Sequence, residues 1–188
     1  MILNDVNKLL QELEKTELEA PSGVATAQTY AQLLAIYLYQ NDLCNAKYLW
    51  KRIPSDLKSG SAELKQIWVV GQRMWQRDWP AVHVALNAKW SDDVSDIMAA
   101  LKDNVRERAI TLISKAYSSL GLTVFASMTG LSLEEARRLV IERGWTIDGT
   151  MVQPCKIEKE EECNVASEVG LTEDQLRKLT QFVSFLEN

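Results

Sequence analysis

One histidine, His83, stands in a chain of 188 residues. The metalloprotease spacings H-E-x-x-H and H-x-H each need two, so a metal-dependent isopeptidase built on them is excluded. Between Val82 and Val84, His83 reads as a helix-face residue rather than a ligand. Cysteine is also scarce. Cys44, Cys155 and Cys163 cannot all pair, and none lies at the C-x-x-C spacing of a thiol-redox or metal site. No motif joins any of them to His83 as a catalytic pair. A reducing cytoplasmic or nuclear setting is expected, with no cofactor, no small-molecule substrate and no enzymatic activity. No run of eighteen apolar residues occurs, and residues 1–18 are acidic and amphipathic rather than a basic leader. Neither a membrane partner nor secretion is expected. Lysine and arginine total 21 against 26 aspartate and glutamate, a net charge of −5, which repels phosphate backbones and makes nucleic acid an unfavourable partner.

What is present is helical periodicity. Asn4 is placed to cap a first helix carrying Val6, Leu9, Leu10 and Leu13, closed by Pro21 and Gly23. A second helix from Thr26 carries Tyr30, Leu33, Leu34, Tyr37 and Leu38. After Asn41 and Asp42 a third carries Leu43, Ala46, Leu49, Trp50 and Ile53 up to Pro54. The pairing recurs from Ser61, with Leu64, Ile67, Trp68, Gly71, Met74 and Trp75 on one face, and Asp78-Trp79-Pro80 opening the next helix with proline at a tolerated first position. Paired helices of this kind predict a short solenoid over residues 1–90. The tryptophans Trp50, Trp68, Trp75, Trp79 and Trp90 are expected in the core between repeats.

The organisation changes over residues 91–153. A long helical pattern runs from Val94 through Ile97, Met98, Leu101, Val105, Ala109, Leu112 and Ile113 to Ala116. A short helical pattern follows around Val124 to Met128, and Ser132 with Glu135 predicts a capping box for a helix ending at Gly144. Trp145-Thr146-Ile147 and Met151-Val152, separated by Asp148-Gly149, predict a hairpin. Helix, short helix, helix and hairpin in this order outline a winged helix. Its recognition helix could meet DNA through Arg137, Arg138 and Arg143, but Glu134, Glu135 and Glu142 cancel that charge. Protein interaction is the expected role, with Trp145, Ile147, Met151 and Val152 covering the core by one face and offering a backbone edge to a partner.

Residues 154–171 read as a charged linker with an acidic cluster at 158–162. A last helix over 172–188 is announced by Thr172 and Gln175 as a capping box and by Leu171 with Leu176 as a hydrophobic staple. Leu176, Leu179, Phe182, Val183 and Leu186 share one side, whose burial contributes about 7–15 kcal/mol before ordering costs. Phe185 lies off that stripe and asks for a second neighbour, as in a bundle. From periodicity, docking on the chain's own domain and docking on a partner stand level.

Four segments carry a resemblance. They are Glu17-Leu18-Glu19-Ala20-Pro21; Lys47-Tyr48-Leu49-Trp50-Lys51-Arg52-Ile53-Pro54; Ile67-Trp68-Val69-Val70-Gly71-Gln72-Arg73-Met74-Trp75-Gln76-Arg77-Asp78; and the tail Leu179-Thr180-Gln181-Phe182-Val183-Ser184-Phe185-Leu186-Glu187-Asn188. With them the chain resembles the PCI-type family of subunit eight of the COP-nine (constitutive photomorphogenesis nine) signalosome. The resemblance implies a mainly α fold, helical repeats followed by a winged helix with a small β-hairpin and then a C-terminal helix. It implies a non-catalytic scaffold in the complex that removes a ubiquitin-like modifier from cullins and so regulates cullin-RING ubiquitin ligases. Winged helices would associate edge to edge and terminal helices in a bundle, among other signalosome subunits, with subunit three as the expected neighbour. Proteasome-lid and initiation-factor-three scaffolds of the same architecture are the alternative, beside a nucleic-acid-binding winged helix.

Overall fold

A computed structural model describes residues 2–155 and Thr180. Helix α1 (Ile2–Leu18) starts before Asn4, so Asn4 lies within the helix rather than capping it. Leu10 and Leu13 of its apolar stripe pack on the core. Helices α2 (Ala27–Tyr39) and α3 (Leu43–Arg52) follow, each begun by a side chain that accepts an orphan backbone N–H of the first turn. Thr26 Oγ1 takes that of Thr29 at 3.2 Å, and the Asp42 carboxylate that of Asn45 at 2.9 Å. Asn41, at φ +61°, makes the tight corner between them in a conformation asparagine tolerates better than most residues.

A short helix α4 (Ser55–Gly60) after Pro54 is not evident in the apolar spacing. It buries no residue of its own, so it leaves no stripe to read. Ser61 caps α5 (Ala62–Gln76), and Asp78 caps α6 (Trp79–Leu86), where Pro80 falls in the first turn and forfeits no helical hydrogen bond. The 25-residue α7 (Asp92–Ala116) comes next.

The centre of the helical half is α2. Tyr30, Ala31 and every residue from 33 to 38 are buried, because α1, α3, α5 and α7 all pack on it. A helix apolar around its circumference is stable only in such surroundings. Leu33, Leu34 and Leu38 are wholly buried, each contributing about 1.5–3 kcal/mol.

Helix α7 serves two cores. Val94, Met98, Leu101 and Val105 complete the core of the helical half, whereas Ile110 and Ile113 belong to the second core. That second core is closed by β1 (Leu120–Gly121), α8 (Leu122–Thr129), α9 (Leu133–Glu142), β2 (Thr146–Asp148) and β3 (Met151–Gln153). The strands form an antiparallel sheet in the order β1-β3-β2, with Leu120 opposite Val152 and Ile147 opposite Val152 on its other side. This is the mainly helical, winged-helix arrangement with its hairpin. The additional strand β1 has only two residues, too few for an alternating pattern to register.

Candidate interaction surface

The hairpin is set by its turn. Asp148 pairs with Met151, leaving Gly149 and Thr150 as the two loop residues, one position later than the Asp148-Gly149 dipeptide suggests. Gly149 takes φ +58° and Thr150 does not take a positive value, the pattern of a II′ turn with glycine first. Strand β3 is central, so among the described residues β2 has a strand on one side only. Because Asp148 and Met151 flank the two-residue loop, the alternation of antiparallel pairs turns the amide and carbonyl of Ile147 outward, away from β3. Thr146 and Asp148 on the same edge are exposed.

The side chains named from the sequence divide. Trp145 and Val152 are buried, and Ile147 is half-buried against the same core. Met151 is exposed. The ring of Trp145 meets Phe125 edge-on at 5.6 Å between centroids, and its indole Nε1 is buried without a hydrogen-bond partner. Leu171, Leu176, Leu179, Phe182, Val183, Phe185 and Leu186 lie outside the described residues. Thr180 is helical and exposed.

Helix α9 is held by its capping box. Ser132 Oγ accepts from the Glu135 N–H at 3.3 Å, and the Glu135 carboxylate accepts from the Ser132 N–H at 2.9 Å. The Ser132 N–H, and the Ser132 hydroxyl donating to the same carboxylate at 2.8 Å, hold the Glu135 carboxyl below its ordinary pKa. Arg143, beyond the end of α9, is paired with Glu107 of α7 at 2.6 Å, so one of the three cations that could have met DNA is already neutralised. Arg137 and Arg138 remain exposed.

The two cores are joined where α6 meets α8. His83 is buried, and its Nε2–H donates to the Met128 carbonyl at 3.2 Å. Its Nδ1 is buried with no partner. Burial chiefly, helped by the positive charges of Arg106 and Lys102, holds its pKa below 6.5 against the opposing Met128 bond. Beside it, Arg106 Nε donates to the Thr129 carbonyl at 3.2 Å, tying α7 to the end of α8. The helix face carrying His83 is therefore the inward one, which the flanking valines signal only weakly.

The tryptophans also divide. Trp50 and Trp68 stack at 4.9 Å with rings 6° from parallel, and with Trp79 and Trp90 they pack against the core. Trp75 does not join them. It is 52% exposed, with Lys47 Nζ 4.6 Å from its ring centre. Its helical spacing from Trp68 gives it the same face, but the ring lines an open groove between α2, α3 and α5 rather than the packed core. Among the described residues no cluster of three His, Cys, Asp or Glu could hold a metal, and no helix is long and apolar enough to cross a membrane.

Comparison with known proteins places this arrangement. Residues 24–163 match the CSN8/PSMD8/EIF3K family. COP9 signalosome complex subunit 8 of Xenopus laevis is 46% identical over 184 residues, covering 96% of this chain and 92% of the relative. The proteins of the same name from Danio rerio, 45% identical over 96% of this chain and 94% of the relative, and Drosophila melanogaster, 32% identical over the whole of both, are similar throughout. By these matches the chain belongs to the CSN8/PSMD8/EIF3K family, among the relatives of COP9 signalosome complex subunit 8.

Proposed function

We propose that the chain is a non-catalytic scaffold subunit of the COP9 signalosome. The observation that carries this reading is similarity along nearly the whole chain to proteins of that name, at 46% identity over 96% of its length. The scaffold contributes to a complex-level activity, removal of the ubiquitin-like modifier from cullins, by holding other subunits in place. It works in the cytoplasm and nucleus.

Two contacts divide the work. The outward backbone of β2 at Ile147 adds a strand to a neighbouring winged helix, with Met151 beside it and Trp145 and Val152 keeping the sheet rigid from within. The apolar side chains of 171–186, namely Leu171, Leu176, Leu179, Phe182, Val183, Phe185 and Leu186, enter a shared helical bundle. Subunit three is the neighbour at the sheet edge. The free position of β2 in the sheet supports the first contact, and the capping signals at Thr172 and Gln175 support the second.

Affinity purification of the full chain and of a version ending before Thr172 tests this. The full chain is expected to recover the other signalosome subunits, and the shortened one to lose them in stringent washes. Equal recovery by both removes the terminal helix as the fastener. A proteasome-lid or initiation-factor-three partner set replaces the signalosome reading altogether.

A further inference from the structure

Beside Trp75 the helical half is open. A groove of about 220 Å³ lies between α2, α3 and α5, with Leu38 and Gly71 at its base, Trp68 and Trp75 along it, and Lys47 and Gln72 at its rim. Gly71 keeps the base low. A Cβ there would come within 3.1 Å of Leu38 Cδ2 and 3.6 Å of the Trp68 ring, in space a larger residue would take from the groove.

Lys47 is the one charged residue among those lining this opening. No carboxylate lines it, and Lys47 makes no ion pair among the described residues, having only the Trp75 face as its partner. Lys51 stands one turn from Lys47 on α3, whereas Arg52 is paired with Glu17 at 2.7 Å and adds no free charge. Asp42 and Asp78 cap α3 and α6 and do not line the groove. A chain of net charge −5 thus presents an apolar slot whose lining carries a cation and no carboxylate. An exposed indole over an apolar base has the composition of an interface anchor site, and Lys47 at the rim adds a charge to it.

We infer that this groove receives a segment of a partner subunit that inserts one large apolar side chain between Trp68 and Trp75 and sets an aspartate or glutamate, about one helical turn away, against Lys47. The inference rests on the scaffold reading above. It gives the helical half a contact separate from the sheet edge and from the terminal segment.

The test is photo-cross-linking in the assembled complex. Benzoylphenylalanine replaces Gln72 in the full chain, co-expressed with the remaining signalosome subunits. The expected product joins it to a partner-subunit peptide in which an apolar residue stands three or four positions from a carboxylate. Lys47→Glu and Trp75→Ala, with thermal unfolding lowered by no more than about 4 °C, are expected to weaken recovery of that subunit by about tenfold or more, and Lys47→Arg to preserve it. An intact complex with no cross-link to another subunit overturns the proposal alone. So does a cross-link to the chain's own residues 156–188, to a second copy, or to a partner segment without a carboxylate. Failure of the unsubstituted chain to recover any signalosome subunit overturns the scaffold reading and this proposal together.

Discussion

Gly130 leaves the space that His83 occupies: a Cβ on Gly130 would stand 2.3 Å from the His83 Cγ. The same glycine ends α8 at φ +66°, so it is required both for its backbone and for its missing side chain. Gly130→Ala is expected to cost about 2–5 kcal/mol, from the left-handed penalty and the overpacking together. Calorimetry should register a drop in Tm of about 5–15 °C. An unchanged Tm would mean that the α6–α8 joint yields without cost.

His83 also predicts a pH dependence that a chain with a single histidine isolates. Its folded pKa lies below the ordinary 6.5, so the unfolded chain takes the proton first. The stabilisation is complete above pH 6.5, falls as pH drops through that value towards the folded pKa, and is level below it. Denaturant unfolding at pH 7.5 and 5.5 should give lower stability at the lower pH, and His83→Gln should flatten the difference. Equal slopes in the two proteins would assign the dependence to other groups.

Phe125 and Trp145 share one contact but differ in what their loss removes. Phe125 is wholly buried, and Phe125→Ala should cost about 3–5 kcal/mol. Trp145→Phe gives up some area but also removes an indole N–H buried without a partner, an offset of about 1–3 kcal/mol. Its net cost should stay below about 1.5 kcal/mol. Urea midpoints at constant slope separate the two, and a Trp145→Phe loss equal to that of Phe125→Ala would imply that the indole N–H finds an acceptor.

The tryptophan-rich helix offers a contrast within one element. Trp68 packs on the core and stacks on Trp50, so Trp68→Ala should destabilise by about 2–4 kcal/mol. Trp75→Ala removes an exposed ring whose contact with Lys47 is worth about 0.5–1 kcal/mol. Thermal unfolding should distinguish them clearly. A large loss at Trp75 would assign it to the core.

Much of this architecture was legible because it is written in caps and stripes. Thr26, Asp42, Ser61, Asp78 and Ser132 each stand immediately before a helix, and all five accept an N–H of the first turn. The winged helix followed from element order and a glycine turn. What escaped had no local signal. Strand β1 is two residues long, α4 has no fully buried residue and only Leu57 against the core, and Asn4 has capping chemistry but sits inside a helix. Trp75 shares a face with core residues, and its exposure depends on how α2 and α3 pack beside α5, which periodicity does not report. For the candidate surface, the strands were readable and their order was not, since hairpin pairing says nothing of a third strand joining β3. The terminal segment, clearest of all in sequence, lies outside the described residues except for Thr180.

The division of α7 between two cores has a consequence for anyone dissecting the chain. At about 1.5 Å per residue the helix is a rod roughly 37 Å long, with its first half seated among the repeats and its second half under the wing. A cut ahead of Asp92 strips the repeats of Val94, Met98, Leu101 and Val105. A cut beyond Ala116 leaves the wing without Ile110 and Ile113. Neither incision yields two self-sufficient pieces, and the repeats and the wing must be inherited, expressed and unfolded as one.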